Sequence, residues 1–402
     1  MREAALLADP IDRLQSLLEE RSAANQQFFD EHSERLARLC HLMAERFARG
    51  GRLVAFGRSP AARSDARHVA VEFVHPVIVG KRALPAIGLA GEGGELSAQI
   101  ALLAQPDDIA IAFGADDDGG EAASALARAR ARGCLTIAFS PAGAEYEFEP
   151  PSDDPYTRQE LVETLYHLLW ELVHVFFDHR GLLAGRDARR VHDAGASSFL
   201  YPFLDERERE LEPVVEDVRR SVLMKAQEIG ALRVRTLSEN GETLTRAAAA
   251  LRAGFERGGK LLALGNGGSA TDAMDAVADF RAPPGAGCGR PAIDLTEDPA
   301  ILTAIANDIG TDAIFSRQVI AYGIAGDALL ALSTSGNSRN VIEALAEARR
   351  RELMTIAMVG YDGGRIAGER LADHVVVVRS EHIPRIQEAQ ATAYHALREL
   401  VG

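Results

Sequence analysis

The sequence predicts an α/β protein built from two tandem, doubly wound parallel sheets flanked by helices. Three observations carry this. Leu261–Ser269, L-L-A-L-G-N-G-G-S, and Ala328–Ser338, A-L-L-A-L-S-T-S-G-N-S, each pass from an apolar run into small and hydroxyl residues. That is the pattern of a buried strand ending at a loop before a helix. Short apolar runs alternate with helical periods along the chain, as a parallel sheet requires. The chain also repeats itself. Ala48-Arg49-Gly50-Gly51-Arg52-Leu53-Val54-Ala55-Phe56-Gly57 returns as Glu256-Arg257-Gly258-Gly259-Lys260-Leu261-Leu262-Ala263-Leu264-Gly265, behind Phe47 and Phe255, 208 positions apart.

The elements follow in order. Leu14, Leu17, Leu18, Phe28, Phe29, Leu36, Leu39, Met43 and Phe47 recur at helical spacing, and residues 10–49 are expected to form a helical hairpin. A long helical stretch over about 208–256 precedes the second copy. Strands are expected near 52–57, 85–89, 108–114 and 134–139, with a closing helix over about 157–178. In the second copy they are expected near 260–264, 291–295, 327–333, 354–359 and 374–378, with a closing helix over about 383–401. Gly181–Ser198, rich in Arg, Asp, Gly and Ala, is expected to be an exposed linker. The predicted domains are 1–180 and 208–402, joined by 181–207.

Composition bounds the function. The chain has 402 residues, a net charge of −15 and no long Lys/Arg cluster, which argues against nucleic acid as a partner. Cys40, Cys134 and Cys288 have neither disulfide-framework nor metal-knuckle spacing. No signal peptide or apolar run of membrane length is visible, so a cytoplasmic protein with no membrane partner is expected. G-x-x-x-x-G-K-[ST] is absent and G-N-G-G-S is not G-x-G-x-x-G, so no nucleotide cofactor is expected. The two Gly/Ser loops instead offer backbone N–H groups, hydroxyls and helix N-termini. These suit the phosphate of a phosphosugar held at the C-terminal ends of adjacent strands.

The motifs G-N-G-G-S (265–269), D-A-M-D (272–275), A-N-D-I-G (306–310), I-F-S-R (314–317), S-T-S-G-N-S (333–338), D-G-G (362–364) and R-I-Q-E (385–388), followed by His395, occur in one order over nearly all of 210–402. In this the chain resembles the sugar isomerase (SIS) family, and within it the phosphoheptose isomerases. The resemblance implies a five-stranded parallel sheet in each domain and assembly as a tetramer. It also implies isomerisation of sedoheptulose 7-phosphate to the aldose heptose 7-phosphate. Such a reaction moves a proton between C1 and C2, and needs a base, an acid near the oxygens and anchors at the phosphate.

By this similarity Ser269, Ser333, Thr334, Ser335 and Ser338 would hold the phosphate, with Gly267 in the loop. Asn266 and Asp308 would face the sugar. Gln387 and His395, eight residues apart on one helix, match the family's glutamine and catalytic histidine. A lone histidine under a helix is ordinarily a packed one, but its register behind R-I-Q-E points to function. The family's first helix carries a His and a Glu four apart, the Glu being the proposed base. Here those positions are Asp275 and Asp279. Asp279 is the expected base, one methylene short, and loss of the imidazole weakens any zinc site there.

The first copy is the mirror case. Its first loop, Arg58-Ser59-Pro60-Ala61-Ala62-Arg63-Ser64, lacks the glycines, and its second carries Asp116-Asp117-Asp118, which would repel phosphate. It keeps His68 and Glu72 at i and i+4, and Gln159 and His167 eight apart. In some family members this four-residue set binds zinc, so His68, Glu72, Gln159 and His167 are candidate Zn2+ ligands. Glu72 and His167 are candidate catalytic groups too, and at a shared site the first copy would lend His68 and Glu72 to the phosphate-binding copy, with Gln and His from either long helix. His174 and His179 are read as packing residues. Two copies per chain imply an internal pseudo-dimer, and a homodimer would complete a tetramer-like body. The alternative is a non-catalytic SIS regulator or scaffold that binds sugar phosphate, and a different pentose or hexose phosphate is a further reading of the substrate.

Overall fold

The computed structural model describes residues 10–77, 81–90, 93–115, 119–178, 183, 210–284 and 287–402. The linker 181–207, apart from Leu183, lies outside the described residues, as do Asp116–Asp118 and His179. The chain forms two compact units, one of residues 24–228 and one of 1–23 with 229–402.

In the N-terminal unit, β1 (Leu53–Phe56), β2 (Ala86–Leu89), β3 (Ile109–Ala112), β4 (Leu135–Ala138) and β5 (Tyr146–Glu147) form one sheet in the order β2-β1-β3-β4-β5. Every pairing is parallel, with Leu53 in register with Ala86 and Ile109. Side chains alternate across a strand, so each apolar run divides between two cores. Leu53, Ala55, Ile109 and Ile111 pack with the long helices, and Val54, Phe56, Ala110 and Ala112 with Leu96, Ile100 and Leu126. β5 is only two half-buried residues long, with no apolar run to announce it.

In the C-terminal unit, β6 (Leu261–Leu264), β7 (Ala292–Asp294), β8 (Ala328–Ser333), β9 (Met354–Gly360) and β10 (His374–Val378) take the order β10-β9-β8-β6-β7. Read from the second strand of the unit, this is the same 2-1-3-4-5 order. The foot of each sheet uses the same device. Asp108 Oδ1 accepts the Arg52 backbone N–H at 2.9 Å and Oδ2 pairs with its guanidinium at 2.7 Å; Asp327 Oδ1 accepts the Lys260 backbone N–H at 3.0 Å and Oδ2 pairs with its ammonium at 2.5 Å. The doubling read from sequence is thus present in strand order and in detail.

The helices are α1 (Pro10–Ala48), α2 (Pro60–Val74), α3 (Leu96–Leu103), α4 (Glu121–Ala131), α5 (Pro155–Asp178), α6 (Leu211–Glu256), α7 (Gly268–Arg281), α8 (Pro299–Asp308), α9 (Ser316–Tyr322), α10 (Arg339–Arg350), α11 (Gly364–Gly368) and α12 (Ile383–Val401). The expected hairpin over 10–49 is corrected: α1 is a single helix of 39 residues. No Gly or Pro interrupts positions 11–49, so nothing in the sequence turns the chain. Instead α1 divides between units. Its Leu14 and Leu18 join the core of the C-terminal unit beside Leu244 and Leu251, and Arg21 pairs with Glu399 at 3.2 Å. Reciprocally, the start of α6 belongs to the N-terminal unit. Val218 and Val222 lie in its core, and Lys225 pairs with Glu171 at 2.5 Å. Among the described residues no helix is long and apolar enough to cross a membrane.

Candidate active site

In the C-terminal unit β6 pairs with β7 on one side and β8 on the other, so the strand order changes direction at β6. Ligands of open parallel sheets bind at such a point, beyond the carboxyl ends of the strands. Both Gly/Ser loops emerge there. Gly265–Gly267 leads from β6 into α7, and Gly267 sits at φ 59°, ψ −127°, a conformation suited to glycine alone. The β8 loop ends on Ser338, the N-cap of α10. Gly336 is at φ +61°, where a Cβ would stand 2.2 Å from the Gly363 carbonyl oxygen, which is why D-G-G can close over this loop.

The expected anchors fall as follows. Ser269 and Ser333 are buried, and Thr334, Ser335 and Ser338 half-buried. Ser333 Oγ accepts the Gly336 N–H at 3.2 Å and lies 3.4 Å from Ser338 Oγ. Ser335 Oγ accepts the Asn337 N–H at 3.2 Å. The Thr334 carbonyl accepts the Gly360 N–H at 3.0 Å. Asn266 is exposed and exchanges amide hydrogen bonds of 3.0 and 2.9 Å with Asn340, tying the first loop to the helix that follows the second. Asp308 is exposed at the end of α8 and accepts the Asn307 amide at 2.7 Å. Asn340 is absent from the sequence-derived set; its place just past S-T-S-G-N-S was the available signal.

α7 starts in this cradle and carries Asp275 and Asp279 inward to α12. His395 Nε2 stands 3.4 Å from Asp275 Oδ2 and 3.5 Å from Asp279 Oδ2, all buried. Tyr394 Oη donates to Asp275 Oδ2 at 2.8 Å. Burial first, and then the Asp275 charge, hold the Asp279 carboxyl well above the usual carboxylate range; His395 and Arg398 pull the other way. The protonated form of Asp279 is thereby favoured over that of an exposed aspartate. Gln387 is buried two helical turns before His395.

The N-terminal unit places different chemistry at the equivalent point. Arg58 occupies the position of Asn266, and its guanidinium meets Glu121, in the first turn of α4, through two contacts of 2.8 Å. The guanidinium also donates to the Gly94 carbonyl, and Glu121 accepts the Leu96 N–H at 2.7 Å. An internal ion pair thus spans the loops where the other unit presents hydroxyls. Behind it, His68 Nε2 and His167 Nε2 face each other at 3.3 Å, and Glu72 Oε1 is 3.9 Å from His68 Nε2. Burial, and secondarily His167, push the His68 imidazole well below its ordinary pKa, leaving it neutral.

One ligand atom each from His68, Glu163 and His167 lies within 4.8 Å of the others, and so does one each from Asp275, Asp279 and His395. Both groups suit a divalent metal, the first better for zinc. Its 3.3 Å N–N separation matches the edge of a tetrahedron with Zn–N of about 2.0–2.1 Å. Glu163 is the residue sequence reasoning missed, although it lies one helical turn before His167. Gln159 is half-buried one turn further back. His174 is a packing residue as expected, its ring nitrogens 2.8 and 3.1 Å from the Trp170 and Arg82 carbonyls.

Two 2-1-3-4-5 sheets, one bearing hydroxyl-lined loops at its switch point, define a tandem α/β protein of the phosphosugar-handling class. A family model described as SIS domain matches residues 226–360. The phosphoheptose isomerase of Chlorobium phaeobacteroides is 43% identical over 203 residues, 49% of this chain and 85% of that protein. That of Pelobacter propionicus is 47% identical over 162 residues, 38% of this chain and 81% of that protein. The C-terminal domain of glucosamine-fructose-6-phosphate aminotransferase from Francisella tularensis is similar in fold over 96% of this chain and 93% of its own, with TM-score 0.57 at 9% identity. The chain belongs to the SIS family of phosphosugar isomerases.

Proposed function

We propose that the C-terminal unit interconverts sedoheptulose 7-phosphate and glycero-manno-heptose 7-phosphate. The observation that carries this is the joining, by α7, of a hydroxyl-lined cradle at the switch point to a buried imidazole–carboxylate cluster. The names of the relatives supply the substrate.

Ser269, Ser333, Thr334, Ser335 and Ser338 hold the phosphate, with backbone N–H groups and the ends of α7 and α10. Asn266, Gly267 and Asp308 border the sugar. His395 takes the proton from C1 while Asp279, protonated, gives its proton to the C2 carbonyl oxygen, yielding an enediol. Return of a proton to C2 and loss of the C1 hydroxyl proton give the aldehyde. Asp275 steadies the protonated imidazole, as a carboxylate does for a catalytic histidine elsewhere. Gln387 orients the sugar. Zinc is assigned to the N-terminal unit, where His68 and His167 with Glu163 and Glu72 would hold it, Gln159 lying one helical turn before Glu163. A metal held against a substrate would polarise its oxygens. Glu72 and His167 are thus read as donors within their own unit.

Two chains assemble into a four-domain body. α8, P-A-I-L-T-A-I-A-N-D, buries none of its residues within the chain, which favours a second copy as its cover. A solution mass near twice the chain's checks this. For the reaction, His395→Ala should lower kcat by about 10²–10⁴-fold, and Ser333→Ala with Ser338→Ala should chiefly raise KM. Full activity in either variant overturns the assignment.

A further inference from the structure

We infer that the buried group of the N-terminal unit is a closed, structural metal site completed by Glu163, and that it takes no part in the isomerisation. The inference rests on the zinc assignment above and goes beyond it in the role given to the metal.

Three donors, from His68, Glu163 and His167, lie within 4.8 Å of one another, and Glu72 Oε1 stands 3.9 Å from His68 Nε2 as the fourth. His68 and Glu72 sit one turn apart on α2, and Glu163 and His167 one turn apart on α5. All four are at most 3% exposed. The two imidazole nitrogens are 3.3 Å apart, and a Glu163 oxygen lies within 4.8 Å of both. Two imidazoles and two carboxylates fill a tetrahedral zinc shell, and a divalent ion brings their charge to zero. Structural zinc sites are closed in this way, whereas catalytic ones keep a position for water or substrate. The C-terminal unit has Ala391 where Glu163 stands, counting back one turn from each helix's histidine, so this carboxylate was added in one copy or lost in the other.

The surroundings agree with a structural role. The mouth of the sheet, where a substrate phosphate would enter, is spanned by Arg58 and Glu121 at 2.8 Å. A cation clamping α2 to α5 would join the helix that follows β1 to the one that closes the unit, and so stabilise it by linkage.

The test uses the full chain, stripped with chelator and titrated with zinc chloride. One tightly held zinc per chain is expected, lost in His68→Ala/His167→Ala and retained in Asp275→Asn/Asp279→Asn. Glu163→Gln should weaken zinc by at least about tenfold, the least that removal of a metal's supporting groups costs. Zinc should raise the unfolding temperature and slow amide exchange in α2 and α5 of the unaltered chain. That measurement stands even where a variant fails to fold. With cobalt(II) substituted, the visible spectrum should not respond to azide or to sedoheptulose 7-phosphate. Absence of bound zinc, zinc that follows Asp275 and Asp279, unchanged affinity in Glu163→Gln, or a cobalt spectrum shifted by either addition would overturn the inference. None of these readouts needs turnover, so a chain that holds zinc but does not isomerise sinks the proposed function and leaves this site standing.

Discussion

Arg58 and Glu121 meet through two contacts of 2.8 Å at the position where Asn266 and Asn340 exchange amides in the other unit. The same tie between the first loop and the helix after the third strand is made once with charges and once with neutral groups. The charged tie fills its own cradle. The neutral one, on the proposed reading, leaves hydroxyls and N–H groups for an anion. Replacing Glu121 by Gln should therefore cost the N-terminal unit about 1 kcal/mol, the pair being roughly a quarter exposed. It should create no phosphosugar binding. Urea unfolding followed by fluorescence of Trp170, the chain's single tryptophan, reads that unit alone; a gain of phosphosugar affinity would contradict the account.

Asn340→Ala should free Asn266 and loosen the first loop without touching the proton-transfer groups. KM for the sugar phosphate is expected to rise several-fold with kcat nearly unchanged. Steady-state kinetics separates this from a fall in kcat, which would place Asn340 in the chemistry.

Gly336→Ala forces a Cβ to 2.2 Å from the Gly363 oxygen at a φ of +61°. The β8 loop must shift, at a cost of about 1–3 kcal/mol. Phosphosugar binding, measured by calorimetry, should be lost before global folding is. Gly368→Ala, where a Cβ would meet open space, is the control and should bind normally.

The metal-free units should respond to pH in opposite senses. His68 folded does not take the proton that it takes unfolded near 6.5. Its contribution is therefore full above that pH and lost as pH falls, by at most about 1.4 kcal/mol per unit. Asp279 folded keeps the proton it releases unfolded near 3.8. Its contribution is full at low pH and lost as pH rises toward its elevated folded pKa. In chelated protein, Trp170 fluorescence should report acid weakening of the N-terminal unit. Far-ultraviolet dichroism should report a second transition weakened toward alkali, and Asp279→Asn should flatten that second dependence.

Much of this was legible in the sequence because the fold is written in local signals. Apolar runs ending in Gly/Ser loops placed β6 and β8, and the restated A/E-R-G-G-R/K segment exposed the doubling. What was not legible depends on contacts between distant positions. β5, two residues long, has no pattern of its own. α1 runs unbroken because nothing stops it, and where it passes from one core to the other is decided by packing at Leu14 and Leu18. Glu163 needed the facing of α2 and α5, which periodicity alone does not set. Asp279 looked like a shortened base. Burial beside Asp275 raises its pKa, a property of the folded cluster and not of the residue type.

The most direct test is to incubate the full chain with sedoheptulose 7-phosphate in D2O and follow C1 and C2 by NMR. The account predicts formation of the aldose heptose 7-phosphate with deuterium entering at the exchanged carbon, both abolished in His395→Ala and in Asp279→Asn. Tight binding of the sugar phosphate with neither product nor deuterium uptake would contradict it, and would make the C-terminal unit a binding module.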